Sequence, residues 1–150
     1  MRFQLNSILL FSFIILIGLT NCTENQNQQD ESMEGLPADF LSFYKQFHHD
    51  STFQMAHIAF PLQGIRGPNN LDSSETFIPW QKVGWKLHKP IDNLIDYQKT
   101  FDVLSSDLIV ETIEQRGAPI AMQRRFALMA DGWHLIYYIE MQPMSRQESQ

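Results

Sequence analysis

Chemistry in this 150-residue chain has to come from five histidines, one cysteine and a scatter of acids and arginines. His48 and His49 are adjacent, so on a helix they point about 100° apart and cannot share an ion as an i, i+4 pair does. With His57, His88 and His134 standing alone and no second cysteine, no metal is expected. Gly64-Ile65-Arg66-Gly67 lacks both the Lys-Ser/Thr pair of a phosphate loop and its strand–glycine–helix setting, and no serine sits in a nucleophile elbow. No cofactor is expected either. Asp107, Glu111, Tyr97 and Tyr137 are the residue types of enolate chemistry, a carboxylate base and a phenol donor beside an apolar cavity. Their spacing does not select them. The simpler reading puts Tyr137 in the core and the acids on solvated strand ends.

Arg124 stands out through the element that carries it. Ile120–Ala130 and Trp133–Met141 alternate as strands, and Asp131-Gly132 between them is a strong hairpin signal. A two-residue loop there pairs Leu128 with Leu135, Phe126 with Tyr137 and Arg124 with Ile139. The opposite face then pairs Met129 with His134, Ala127 with Ile136 and Arg125 with Tyr138. The first face is apolar apart from Arg124, where a charge is costly unless it is paired or at a rim. Arg124 is therefore the structural partner of a nearby acid, a stem that snorkels to water at the sheet's open end, or a pocket-mouth group that, with Tyr137, receives an anionic ligand. Trp80, Trp85, Phe77 and Trp133 could form a sugar-stacking platform, though such residues are more often core.

The elements before the hairpin must cover its apolar face. Pro37 and Asp39 open a helix in which Phe40, Tyr44 and Phe47 recur at helical spacing, widened by Leu41 and Phe43, and His48-His49-Asp50 closes it. Thr52–Leu62 is expected to be a strand or a helix-to-strand passage, with Pro61 marking an edge or a stop. Gln63–Glu75 reads as a long exposed loop, Thr76–Leu87 as a turn and half-buried strand, and Ile91–Leu104 as a weak helix. Asp107–Gln115 is a strand, and Arg116–Pro119 a turn. A helix first and a curled antiparallel sheet last make an α+β fold.

The N-terminus supplies an address. One basic residue, Arg2, precedes an apolar run from Ile8 to Leu19 of roughly 12 residues, short of the about 20 that span a bilayer. Leu19-Thr20-Asn21-Cys22 resembles the lipobox of bacterial lipoproteins, in which the cysteine is acylated and becomes the new N-terminus; Asn21 stands where the motif has a small residue. The simpler alternatives are an ordinary cleaved signal or an uncleaved anchor. Residues 1–21 are thus expected to be a lipoprotein signal peptide, 22–35 an acidic flexible tether, 36–144 one α+β domain and 145–150 a polar tail. The implied partner is the membrane, held through a lipid on Cys22, with the protein on the periplasmic face or cell surface of the outer membrane. Two acyl chains hold a protein there stably. The net charge of −6 argues against nucleic acid.

The run Phe53–Leu62, after an aromatic helix with a His-Asp end, and the closing Arg125–Leu135 hairpin resemble lipoproteins of Bacteroides-related bacteria. These are similar to nuclear-transport-factor-two-like proteins, whose cone-shaped α+β fold is shared with ketosteroid isomerase. The resemblance implies a sheet curled around a pocket and carries no activity or functional residue. A non-catalytic module that binds a small ligand or an envelope protein is the leading expectation. The alternative is a small enzyme using the cone pocket for acid–base chemistry.

Overall fold

Helix α1 (Ala38–His49) begins at Pro37 and buries Phe40, Phe43, Tyr44, Phe47 and His48, a stripe at helical spacing. The computed structural model describes residues 32–66, 79–91 and 95–143. The expected signal segment, Cys22, most of the expected tether, Phe77 and the polar tail lie outside the described residues. Packing begins slightly before the expected domain start, because Met33 already rests against the core. Asp39, in the first turn, accepts the Trp133 indole N–H at 3.0 Å, which holds its carboxyl below the usual value. Asp50 ends α1 and starts α2 (Ser51–Ala56), its Oδ1 accepting from the amides of Thr52 at 2.8 Å and Phe53 at 3.0 Å.

The chain then forms β1 (Ile58–Ile65), β2 (Tyr97–Ser105), β3 (Leu108–Gln115), β4 (Ile120–Met129) and β5 (Gly132–Pro143). These make one five-stranded sheet in the order β1-β5-β4-β3-β2. The α+β architecture agrees with expectation, but the sheet is mixed: β1 runs parallel to β5, and the other neighbours are antiparallel. A strand fed from helices on one face enters the edge in whichever direction the crossover leaves it. Pro61 does not stop β1, which continues through Gln63 to Ile65; the Phe60–Pro61 peptide is cis and lies where the register shifts between Ile58 and Gln63. An edge strand can carry a proline there.

Two expectations fail in the middle of the chain. Residues 97–105 are strand β2, not helix: Tyr97, Lys99 and Phe101 are its more buried positions, while Ile95, within the span expected to be helical, is 79% exposed. Pairing with β3 satisfies this backbone, and tertiary hydrogen bonding overrides the weak local period. The described part of Thr76–Leu87 forms no strand, only the bridge of Trp80 to Leu62 through N–H···O contacts of 2.7 and 2.9 Å.

The hairpin is real, but its register differs. Met129 pairs with Gly132, so Ala130 and Asp131 make the turn, and Leu128 meets Trp133 and Phe126 meets Leu135. This two-residue shift preserves the faces. Between Arg125 and Phe126 the ladder then slips by one residue, so Arg124 meets Tyr138 and Arg125 meets Tyr137. A one-residue slip turns every later side chain to the opposite face.

Phe126 lies at the centre of the core. The rings of Phe40, Phe43, Tyr44 and Phe47 surround it with centroids 5.5 to 6.2 Å away, most of them edge-on. The next row crosses all five strands: Phe101, Glu111, Arg124, Tyr138 and Gly64 are successive partners. A Cβ at Gly64 would collide with the Tyr138 carbonyl, so only glycine allows β1 to lie this close to β5.

Candidate functional site

Register and helix spacing together bring four polar side chains into the core. Arg124 and Glu111 face each other across β4 and β3, with only 1% and 0% of their side-chain surface exposed. Arg124 Nε lies 2.8 Å from Glu111 Oε2, an ion-pair contact whose N–H does not point along the line. Its Nη2 donates to Oε1 at 3.3 Å, and the Tyr44 hydroxyl donates to the same oxygen at 2.6 Å. Arg124 Nη1 donates to His48 Nε2 at 2.6 Å, while His48 Nδ1 lies 2.9 Å from the Tyr44 carbonyl. That carbonyl can only accept, so the proton is assigned to Nδ1 and Nε2 is free to receive the guanidinium. Burial, reinforced by Arg124, drives the His48 pKa down to about 3, so the ring is neutral.

A second cluster adjoins the first. Gln54, 2% exposed, donates from Nε2 to the carbonyls of Phe47 and His88, each at 2.7 Å, and accepts the His88 amide at 2.7 Å. Together with the Leu62–Trp80 bridge, this pins residues 79–91 against the helices and β1 at two points. The pinned segment delivers Trp80, Trp85 and His88 to Tyr138, with ring centroids at 5.4, 5.8 and 4.6 Å. Trp80 and Trp85 meet at 5.7 Å and 89°, and Phe60 closes on Trp85 at 5.7 Å. The guanidinium of Arg66 lies over Trp80, 4.3 Å from its centroid.

The electrostatics of this aromatic box follow from burial. His88 is pushed down to about 2, first by desolvation and then by the charge of Arg124. Desolvation, with help from Glu140, raises Tyr138 to about 12. Both are neutral across the physiological range. Trp80 Nε1, Trp85 Nε1, His88 Nδ1 and Arg66 Nε are buried and have no hydrogen-bond partner among the described residues. Each such group typically costs about 1–3 kcal/mol, so four in one cluster need an explanation.

The arginine readings of the sequence now separate. Arg124 has its acid, Glu111, and is enclosed rather than at a mouth. Tyr137 is not beside it: the register slip puts Tyr137 on the other face, under the guanidinium of Arg125 at 4.4 Å. Of the enolate set, Glu111 is engaged by Arg124 and Tyr44, Asp107 accepts the Ser105 hydroxyl at 2.6 Å in an exposed turn, and Tyr97 lies at the far edge. They do not converge. Of the four platform aromatics, Trp80 and Trp85 come together, while Trp133 packs on Phe40 at 5.0 Å. Among the described residues no group of three or more His, Cys, Asp and Glu side chains is placed to hold a metal ion.

Sequence reasoning passed over Tyr138, His88, Arg66 and Gln54. His48 could have been found, since it extends the Phe40–Tyr44 stripe by one more turn. The box could not, because a bulge and two pins create it.

No protein-family profile matches the sequence, and no curated protein does. The chain is similar to the solved structure of an NTF2-like protein from Bacteroides fragilis, with 19% identity, a TM-score of 0.52, and 71% of this chain and 48% of that one covered. It is also similar to a cystatin-like protein from Bacteroides caccae, with 20% identity, a TM-score of 0.50, and 67% and 74% covered. The fold is thus α+β and NTF2-like, two short helices followed by a curled mixed sheet. The chain spans about half the length of the Bacteroides fragilis protein.

Proposed function

We propose that this chain is a lipid-anchored envelope protein, held by Cys22, whose cone is a non-catalytic binding module for a small ligand. The observation that carries the binding role is the aromatic box: four buried nitrogen atoms without hydrogen-bond partners among the described residues, grouped among Phe60, Trp80, Trp85 and Tyr138. A wall of rings with a few converging polar atoms is the usual make-up of a small-molecule site. The buried Glu111–Arg124–His48 network supports it from behind, through Tyr138. An acid–base enzyme is less well supported, because the buried carboxylate is already engaged by an arginine and a phenol.

The test is direct. Full-length protein extracted from membranes in mild detergent is screened by tryptophan fluorescence and melting temperature against a library of small aromatic, acidic and sugar compounds. Binding should quench or shift the emission of Trp80 and Trp85 and raise the melting temperature. A Trp85→Phe variant that folds normally should lose at least half of the emission change. A library without hits, with nothing small released from the native protein on denaturation, would overturn the binding role.

A further inference from the structure

We infer that the box selects an organic anion with a flat apolar body, an aryl carboxylate, and that Arg66 is the residue that reads its charge. The inference rests on the binding role proposed above and adds the chemical class of the ligand.

The first argument is the direction of the unpartnered groups. Indole Nε1 and guanidinium Nε can only donate. Trp80, Trp85 and Arg66 therefore offer three donors, and the remaining nitrogen, His88 Nδ1, belongs to a ring kept neutral by its surroundings. Among the described residues the one buried side-chain oxygen without a hydrogen bond, Glu111 Oε2, is in ionic contact with Arg124. A sugar presents hydroxyls that both donate and accept, and needs acids or amides opposite them. Three of the four unpartnered nitrogens can only donate, so this cluster asks chiefly for acceptors.

Charge is the second argument. Tyr138 is neutral, and the charge of Arg124 is met by Glu111, so the formal charge left at the box is that of Arg66. Arg66 has no ion pair among the described residues and lies over the Trp80 face. Glu140 is the acid that bears on the box, through Tyr138, and it already has a partner. A planar guanidinium stacked over one of the two indoles, in a cluster of unpartnered donors, matches a planar carboxylate better than a neutral amide, whose NH₂ would face donors.

Shape is the third. Trp80, Phe60 and Tyr138 meet Trp85 at 89°, 77° and 77°, so the walls present faces and edges to one another. A further flat ring stacks on aromatic neighbours at the same 4.5–7 Å centroid spacing, so an aryl body suits a cluster of this composition.

Benzoate, cinnamate and 1-naphthoate, each beside its primary amide, are titrated calorimetrically into the detergent-solubilised full chain, with methyl glucoside as the sugar control. At least one carboxylate should bind tenfold or more tightly than its amide, and the glucoside should not bind. Arg66→Gln should erase that preference while the variant keeps the far-UV circular dichroism of the wild type. Amides binding as well as the acids, or Arg66→Gln binding the acids as wild type does, would overturn the anion selection while leaving the box as a binding site. Failure of every carboxylate, every amide and the glucoside up to about 5 mM, a free energy of only about 3 kcal/mol, would overturn both. Tight binding of the glucoside alone would replace the anion with a sugar.

Discussion

Replacing Arg124 by methionine keeps the hydrocarbon stem and removes the charge from a place that water does not reach. Glu111 then loses the Nε contact at 2.8 Å and the Nη2 bond at 3.3 Å, and keeps only the Tyr44 hydroxyl at 2.6 Å. His48 Nε2 loses its donor. Removing one partner of a buried ion pair costs about 3–5 kcal/mol, chiefly because the other charge stays behind uncompensated. The orphaned imidazole nitrogen adds about 1 kcal/mol. For a domain of this size that corresponds to a melting-temperature loss on the order of 15–20 °C. Urea unfolding at pH 7, followed by far-UV circular dichroism, measures the difference directly. The double variant Arg124→Met with Glu111→Gln removes the stranded charge and keeps an acceptor for Tyr44, so it should recover at least half of the loss. If the single variant stays within about 1 kcal/mol of wild type, or the double variant is no better than the single, the pair is not what holds the centre of the sheet.

Three further outcomes are expected. His48 and His88 bind a proton in the unfolded chain near the ordinary value of 6.5 but resist it in the fold down to about 3 and about 2. Stability should therefore be level above pH 7 and fall below about 6.5, approaching roughly 2–3 kcal/mol per pH unit while both histidines contribute; a flat urea profile down to pH 5 would show that they are not held neutral. Gly132 has φ of +124° with open space where a side chain would go, so Gly132→Val should lose about 1–3 kcal/mol through backbone strain alone, and an unchanged unfolding midpoint would contradict this. Cys22→Ala should convert a protein that partitions into detergent into one that is unprocessed or soluble; equal membrane association of the two forms in fractionated cells would refute the anchor.

Much of the frame was legible because it depends on local periodicity. The stripe from Phe40 to Phe47, the alternation of Leu108–Gln115 and the paired strands around Asp131-Gly132 all follow from which residues must face away from water. Residues 97–105 were misread because their apolar residues also fit a helical spacing, and pairing with β3 decided the matter. The charged residue on an apolar face was visible from the sequence, and so was the choice between an acid partner and an anionic ligand.

What the sequence determined alone was the presence of a cation on an apolar face, an aromatic helix to cover that face and a hairpin to carry it, since burial of apolar surface acts on each element before any two meet. Which acid neutralises Arg124 was a tertiary matter, decided by the β3–β4 register that sets Glu111 opposite. Which tyrosine stands beside it was decided by a single extra residue in β5: one slip in a two-residue repeat exchanges Tyr137 for Tyr138, and no local preference records it. The box depends on longer reach still, on Gln54 binding the backbone of His88 across 34 residues and on Trp80 bridging to Leu62. Contacts of that separation form only once the chain is folded, because each depends on a geometry that the rest of the core must first supply.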